Sequence, residues 1–313
     1  MAAALGTAAA WALPATASET VRVSGRAFGT SWHLRLRGAG DVDALAADLA
    51  ALLERIDRSM SPFRDDSTLS RFNGSGQGAF AADPDLACTL AEALRVADLT
   101  GGAFDPSVGP DVGRYGFGPI HGTRVGSHAS LSLDGTTIER SVAGITLDLC
   151  GIAKGYALDR MAQAIAAAGF GDFVAEIGGE VLAVGTDEGG APWRIGIADP
   201  LGDGVRMAID PRGLAVATSG DAVNAYEIAG RRYSHIIDPL SDEPVRNAVA
   251  SVSVLAATAM TADALATALM VMGPVRGLTF AASHDLPVLY LLRGAGRIGD
   301  TLASPAFQRH CLA

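Results

Sequence analysis

Between residues 172 and 238 five strand-like runs follow one another with no helical pattern among them: "DFVAEIGGEVLAVG", "WRIGIADP", "MAID", "GLAVATSG" and "AYEIAGRRYSHIIDP". Each is short, apolar and bounded by glycine, aspartate or proline, as strands between turns are. Helical periodicity lies on either side of this block. "DVDALAADLAALLERIDRSM" (41–60), "DPDLACTLAEALRVADLTGG" (83–102) and "AKGYALDRMAQAIAAAG" (153–169) precede it, and "TADALATALMVMG" (261–273) follows it. Asp41 or Asp43 would cap the first helix, while Gly101, Gly102 and Gly169 would stop the next two. Further strands are predicted in "VRVSGRAFGTSWHLRLRG", with a turn at Gly29, in "LSLDG", "TIERS" and "GITLDL" of residues 130–150, and in "LPVLYLLR". Long helices inserted between groups of strands imply an α+β fold with mixed, largely antiparallel sheets. No linker rich in proline, serine or charge and no repeat of fixed period divides the chain, so residues 18–313 are expected to form a single domain.

The charge balance narrows the partners. A formal net charge of −10 argues against nucleic acid, whose binding needs a basic face, but leaves room for a small phosphate ligand held by backbone and metal. Cys88, Cys150 and Cys311 are widely spaced with no C-x-x-C, so neither a zinc site nor a disulfide framework is expected, and all three are read as buried free thiols. Residues 1–17, apolar and ending in "ATA", fit the tail of a truncated export signal whose basic region would lie upstream. No later stretch offers 18 uninterrupted apolar residues, so the expected mature protein is soluble, periplasmic and without a transmembrane segment.

Chemistry could sit in three glycine-punctuated loops, "TGGAFDPSVGP" (100–110), "EIGGEVLAVG" (176–185) and "AVATSGD" (215–221, with Gly220), where backbone can approach an anion. Such glycines also merely end helices and turn strands. Asp263 and Thr267, four apart, share a helical face and could hold a hard cation such as Mg²⁺; alternatively Asp263 serves its own helix N-terminus. His235 in "YSHIIDP" is the best candidate for a general base among the six histidines, because its surroundings are apolar and turn-bounded. Lys154 is the sole lysine beside 23 arginines in the 24 cationic residues, and composition alone leaves open whether it is functional or a chance survivor.

In order along the chain, "MSPFRDDSTLSRFN", "TGGAFDPSVGP", "LDLCGIAKGYALDRM", "EIGGE", "ATSGD", "YSHIIDPLSDEPV" and "TADALATALMVMG" resemble the motifs of the ApbE family, FAD:protein FMN transferases, over nearly all of residues 24–280. The resemblance implies a two-subdomain fold with a central cleft that binds FAD as substrate, with Mg²⁺ on its diphosphate. It further implies transfer of the FMN half to a Thr or Ser hydroxyl of an acceptor protein, with release of AMP. On the matching positions, Met60, Ala103, Phe104, Asp105, Lys154, Asp159 and Gly220 would bind the nucleotide, and Asp263, Thr267 and the Ala153 carbonyl would hold the metal. His235 and Lys154 would be catalytic. The implied acceptor is a membrane or periplasmic respiratory protein with a D-x-x-S/T-G/A-A/T-S/T segment. An Mg²⁺-dependent FAD pyrophosphatase giving FMN and AMP, or a non-catalytic flavin-binding maturation factor, would carry the same motifs. The chain departs from the family pattern at Glu180, longer than the usual residue there, at Ser241 and Asp242 in place of Thr-Gly, and in "AVNAY" after "TSGD".

Overall fold

The computed structural model describes residues 20–222 and 224–312. The expected export segment lies outside the described residues. Its frame is one eight-stranded sheet, every neighbouring pair antiparallel and the strands in chain order. We number them β1 (Val21–Ala27), β2 (Thr30–Arg37), β3 (Asp172–Ile177), β4 (Glu180–Val184), β5 (Ala215–Gly220), β6 (Val249–Ala256), β7 (Val288–Arg293) and β8 (Ile298–Ala303). Everything else is an excursion from this meander, as an α+β arrangement allows.

The longest excursion, between β2 and β3, holds α1 (Val42–Met60), α2 (Thr68–Ser75), α3 (Pro84–Leu99), α4 (Gly109–Arg114) and α5 (Ala153–Ala167). Asp41, not Asp43, caps α1, its side chain accepting from Ala44 N, and Asp83 does the same for α3 at Leu86 N. A hairpin of Ile195–Ala198 and Val205–Ile209 fills the β4–β5 excursion. Two small hairpins, Ala225–Ile228 with Arg231–Ser234 and Ile237–Asp238 with Glu243–Pro244, fill the β5–β6 excursion. The last excursion is α6 (Ala259–Ser283).

Side chains alternate across the sheet and feed two cores. Phe173, Ala175, Val252, Val254 and Tyr290 pack against the helices; Val174, Val181, Leu255, Leu289 and Leu291 pack on the opposite face with Trp193, Ile195 and Phe307. Because both faces are covered, β6 is buried along its whole length. By length and composition α6 could cross a membrane. Here it is a core helix: Ala262 to Ala266 are all buried, and it packs on α5, β5 and β6. It kinks at Gly273 (φ 67°) before Pro274, where the freed carbonyl of Met270 accepts from Asn247 Nδ2 at 2.8 Å.

Two expectations fail. "GITLDL" is extended but is not a strand: Leu147 N donates to Asn73 Oδ1 at 2.7 Å and Leu147 O accepts from Asn73 Nδ2 at 2.9 Å, so an asparagine side chain takes the place of a neighbouring strand. The cysteines are not all buried. Cys88 lies on the outward side of α3 and is exposed, Cys150 is exposed at the cleft described below, and Cys311 is intermediate.

Candidate functional site

All four excursions meet at one cleft. The first contributes Ala103, Phe104, Asp105 and Lys154, the second Pro200, the third Asn224 and His235, and the fourth Asp263 and Thr267. The ends of the central strands supply Thr218, Ser219, Gly220 and Ser251.

One wall depends on Gly155, in the first turn of α5. A Cβ there would lie 2.3 Å from the Ala259 carbonyl oxygen and 2.7 Å from Met260 Cα, so only glycine lets α5 and α6 cross this closely. The crossing brings the first-turn N–H of Gly155, which has no partner within its own helix, onto Asp263 Oδ2 at 3.0 Å. Asp263 therefore serves the N-terminus of α5 and not that of its own helix. The α6 N-terminus is served by Thr258, which accepts from Thr261 N, and by Asp159, which accepts from Ala259 N at 2.8 Å and Met260 N at 2.9 Å.

Lys154 lies beside this crossing. Its stem passes over the β3–β4 turn, where a Cβ on Gly178 would sit 3.3 Å from Lys154 Cδ. Its Nζ lies 3.5 Å from Glu180 Oε1 and 3.7 Å from Asp263 Oδ2. Burial works against the Lys154 charge, and the Asp263 and Glu180 carboxylates outweigh it, holding the ammonium above the ordinary lysine range. Burial pushes Asp263 and Glu180 up, against the pull of Lys154. Glu180 Oε2 is buried and has no hydrogen-bond partner. Behind it Glu176 accepts from Gly179 N at 2.7 Å, and burial pushes its carboxyl up to about 7.

The other wall carries His235. Its Nδ1 lies 2.9 Å from the Asn224 carbonyl oxygen. A carbonyl can only accept, so Nδ1 bears the proton and Nε2 keeps its lone pair. Burial lowers the pKa of the ring despite the Asn224 contact, which favours the neutral base. Phe117 meets His235 edge-on at 6.2 Å and stacks on Tyr226 at 5.2 Å, which in turn stacks on Tyr233 at 5.2 Å.

A hard divalent cation fits this donor set. Asp263 and Thr267 both face the cleft one helical turn apart, and the Thr267 hydroxyl has only a 3.4 Å contact with Ser219 Oγ. Among the described residues no group of three or more His, Cys, Asp or Glu side chains is poised for a metal.

The sequence pattern of the ApbE family matches residues 28–290. The chain belongs to the ApbE family. It is similar to the FAD:protein FMN transferase of Vibrio cholerae serotype O1, 38% identical over 295 residues that cover 88% of each chain. The Haemophilus influenzae protein of the same name is 33% identical, with 92% of each covered. Among solved structures, the flavin transferase ApbE from Vibrio cholerae superposes with a TM-score of 0.84 at 36% identity, covering 93% of this chain and 99% of that one. The apo flavinyl transferase ApbE of Pseudomonas stutzeri gives 0.83 at 31% identity, covering 93% and 96%.

Against the ApbE motifs, the structure brings Ala103, Phe104, Asp105, Lys154, Gly220, His235, Asp263 and Thr267 to the cleft. Two expected residues stand elsewhere. Met60 ends α1 inside the hydrophobic core, 2% exposed, and Phe63 three residues on reaches the cleft instead. Asp159 is spent on the α6 N-terminus and does not line the cleft. Ala153 opens α5 between the lining residues Gly151 and Lys154 and is itself buried. Asp105 lines the cleft, yet its carboxylate is already engaged by Ser107 N and Oγ at 2.8 Å and by His128 N and Nδ1 at 3.1 Å, so it shapes the loop. Ser219 lies in the expected 215–221 loop and lines the cleft, although no residue-level pattern set it apart there.

Proposed function

We propose that this chain moves the FMN half of FAD onto a Thr or Ser hydroxyl of an acceptor protein and releases AMP. The observation that carries the reading is the pairing, across one cleft, of a cation-competent Asp263–Thr267 pair with a histidine held as a neutral base. Mg²⁺ held by Asp263 and Thr267, with the Ala153 carbonyl as the third donor implied by family resemblance, would offset the charge of the diphosphate. His235 Nε2 takes the proton from the acceptor hydroxyl as that oxygen attacks the FMN phosphorus. The bond from that phosphorus to the AMP oxygen breaks, and AMP leaves with the electron pair. Asn224 keeps the imidazole in the tautomer this step needs. Strand-end backbone at Gly220 and the Ala103–Phe104 loop bound the nucleotide.

The reading includes export to the periplasm, on the strength of residues 1–17. It also includes an acceptor of the membrane or periplasmic respiratory type with a D-x-x-S/T-G/A-A/T-S/T segment. The test is incubation with FAD, Mg²⁺ and a protein bearing such a segment, with in-gel flavin fluorescence and AMP release as readouts. Labelled acceptor and equimolar AMP are expected. AMP without label would show a pyrophosphatase, and tight FAD binding with neither product would remove both enzymatic readings.

A further inference from the structure

Lys154 is the one lysine in the chain, and the structure sets it between two buried carboxylates without committing it to either. Its Nζ distances, 3.5 Å to Glu180 and 3.7 Å to Asp263, both exceed the about 2.7–2.9 Å of a full charge-assisted hydrogen bond. The ammonium is shared. Asp263 has another donor in Gly155 N, whereas Glu180 holds a second oxygen, buried and without any partner. A buried carboxylate oxygen left in that state is unfavourable unless some other state of the protein satisfies it.

We propose that Lys154 stands in for the divalent cation when the metal is absent, and that Glu180 receives the ammonium when a metal takes Asp263. The inference rests on the metal reading above. The stem lies close over the Gly178 turn, where a Cβ would come within 3.3 Å of Lys154 Cδ, and both carboxylates are within 3.7 Å of Nζ, so the move needs only the last carbon and the nitrogen. Lysine suits this, being a compact charge with three rotatable donors on a flexible stem; the planar fork of arginine would need new space. In the metal-free state two carboxylates share one ammonium. With a divalent cation on Asp263, the ammonium meets repulsion there and an unpartnered acceptor at Glu180. Glu180 is then a positioning residue, acting on the metal site through Lys154.

Because Lys154 is unique, lysine labelled with ¹⁵N at Nζ gives one side-chain ammonium signal from the full chain. Mg²⁺, which is diamagnetic, is titrated in without FAD while calorimetry follows binding. In the wild type the single signal is expected to move to a second sharp position as Mg²⁺ saturates. In Glu180→Gln it should broaden by exchange with water, because the displaced ammonium meets only a neutral amide oxygen, and Mg²⁺ affinity should fall about tenfold. Lys154→Met removes the internal competitor, and its Mg²⁺ affinity should rise about tenfold. A signal that stays put while calorimetry shows saturation overturns the proposal and leaves the metal site standing. So does a Glu180→Gln protein whose signal behaves like the wild type. Absence of Mg²⁺ binding to the wild type, with or without FAD, overturns the metal reading and this proposal together.

Discussion

The α5–α6 wall of the cleft is held by backbone contact, whereas the wall that carries His235 is held by arginine side chains. On the first, Gly155 abuts the Ala259 carbonyl, Asp159 takes two N–H groups of α6, and Asp263 takes one of α5. On the second, residues 221–248 leave the sheet and return, and the fastening is ionic. Asp221 is buried between Arg232, at 3.1 Å, and Arg293. Asp242 receives Arg124 through its carboxylate and Arg114 through its carbonyl, and Arg124 also lies 2.9 Å from Asp111. The difference divides the labour. Groups that must face charge without rearranging sit on main chain locked by packing. The proposed proton acceptor, His235, sits on the strapped excursion.

The largest effect should come from the fixed wall. Asp263→Ala removes the one carboxylate of the proposed metal pair and the acceptor of Gly155 N, and Mg²⁺-dependent turnover is expected to fall by about a thousandfold or more. AMP release and Mg²⁺ calorimetry both check it. A variant that keeps its rate and its metal would show that the fixed wall does not handle charge. His235→Ala tests the strapped wall. Transfer to the acceptor should drop about 10²- to 10³-fold while FAD and Mg²⁺ affinity hold, because the base acts only in the step. Since burial lowers the wild-type imidazole, the acid limb of the rate profile should fall below the ordinary histidine value. A limb above that value would mean that burial does not set the titration of the ring, and a rate that instead falls as pH rises through the imidazole range would mean that the ring works as an acid.

The fixed wall was also the more legible one. Helical periodicity showed α5 and α6, and the Asp263–Thr267 spacing put both on one face before any contact was known. What sequence could not show is that Gly155 is the hinge of the arrangement: a glycine in "AKGYA" looks the same whether or not another helix crosses it. β6, "VASVSVLA", went unread: Ser251 and Ser253 alternate with Val252 and Val254, but small serines in an otherwise apolar run, buried on both faces, do not mark a solvent-facing side. Alternation misled in "GITLDL", where Ile145, Leu147 and Leu149 are buried as in a strand but the hydrogen bonds go to Asn73. Asp159 and Met60 lie within or beside motif positions yet serve packing, since a motif records what a family keeps and not why. On the strapped wall the Ser241–Asp242 departure gains a reason: Asp242 has φ 57°, the conformation glycine takes without strain, and repays it through Arg124.

Glu176 sharpens the comparison from behind the fixed wall. Its folded-state value of about 7 lies above the unfolded one near 4.5, so the unfolded chain ionises first as pH rises. Stability from this group is therefore fully present below about pH 4.5, declines between there and pH 7, and is lost above, by about 3 kcal/mol. Glu176→Gln keeps the acceptor for Gly179 N and removes the titration. Thermal unfolding between pH 5 and 8 should become flatter, with the variant more stable than the wild type at pH 8. An unchanged slope would place the buried charge elsewhere.

The smallest effect should come from Asp242→Gly, where two terms nearly cancel in stability but not in function. Glycine removes the left-handed strain, worth about 1 kcal/mol, and gives up the half-exposed ion pair with Arg124, worth about the same or less. The main-chain carbonyl still receives Arg114, so the turn persists. The melting temperature should therefore stay within a few degrees of the wild type. The strap across the cleft is weakened all the same, because Arg124 then holds the turn that follows His235 only through the Pro239 carbonyl. Transfer to the acceptor should need a few-fold more acceptor protein for half-maximal rate, with FAD affinity held by the fixed wall. If FAD affinity falls as far as acceptor affinity, the two walls move as one body, and the contrast between packed and strapped construction has no functional meaning.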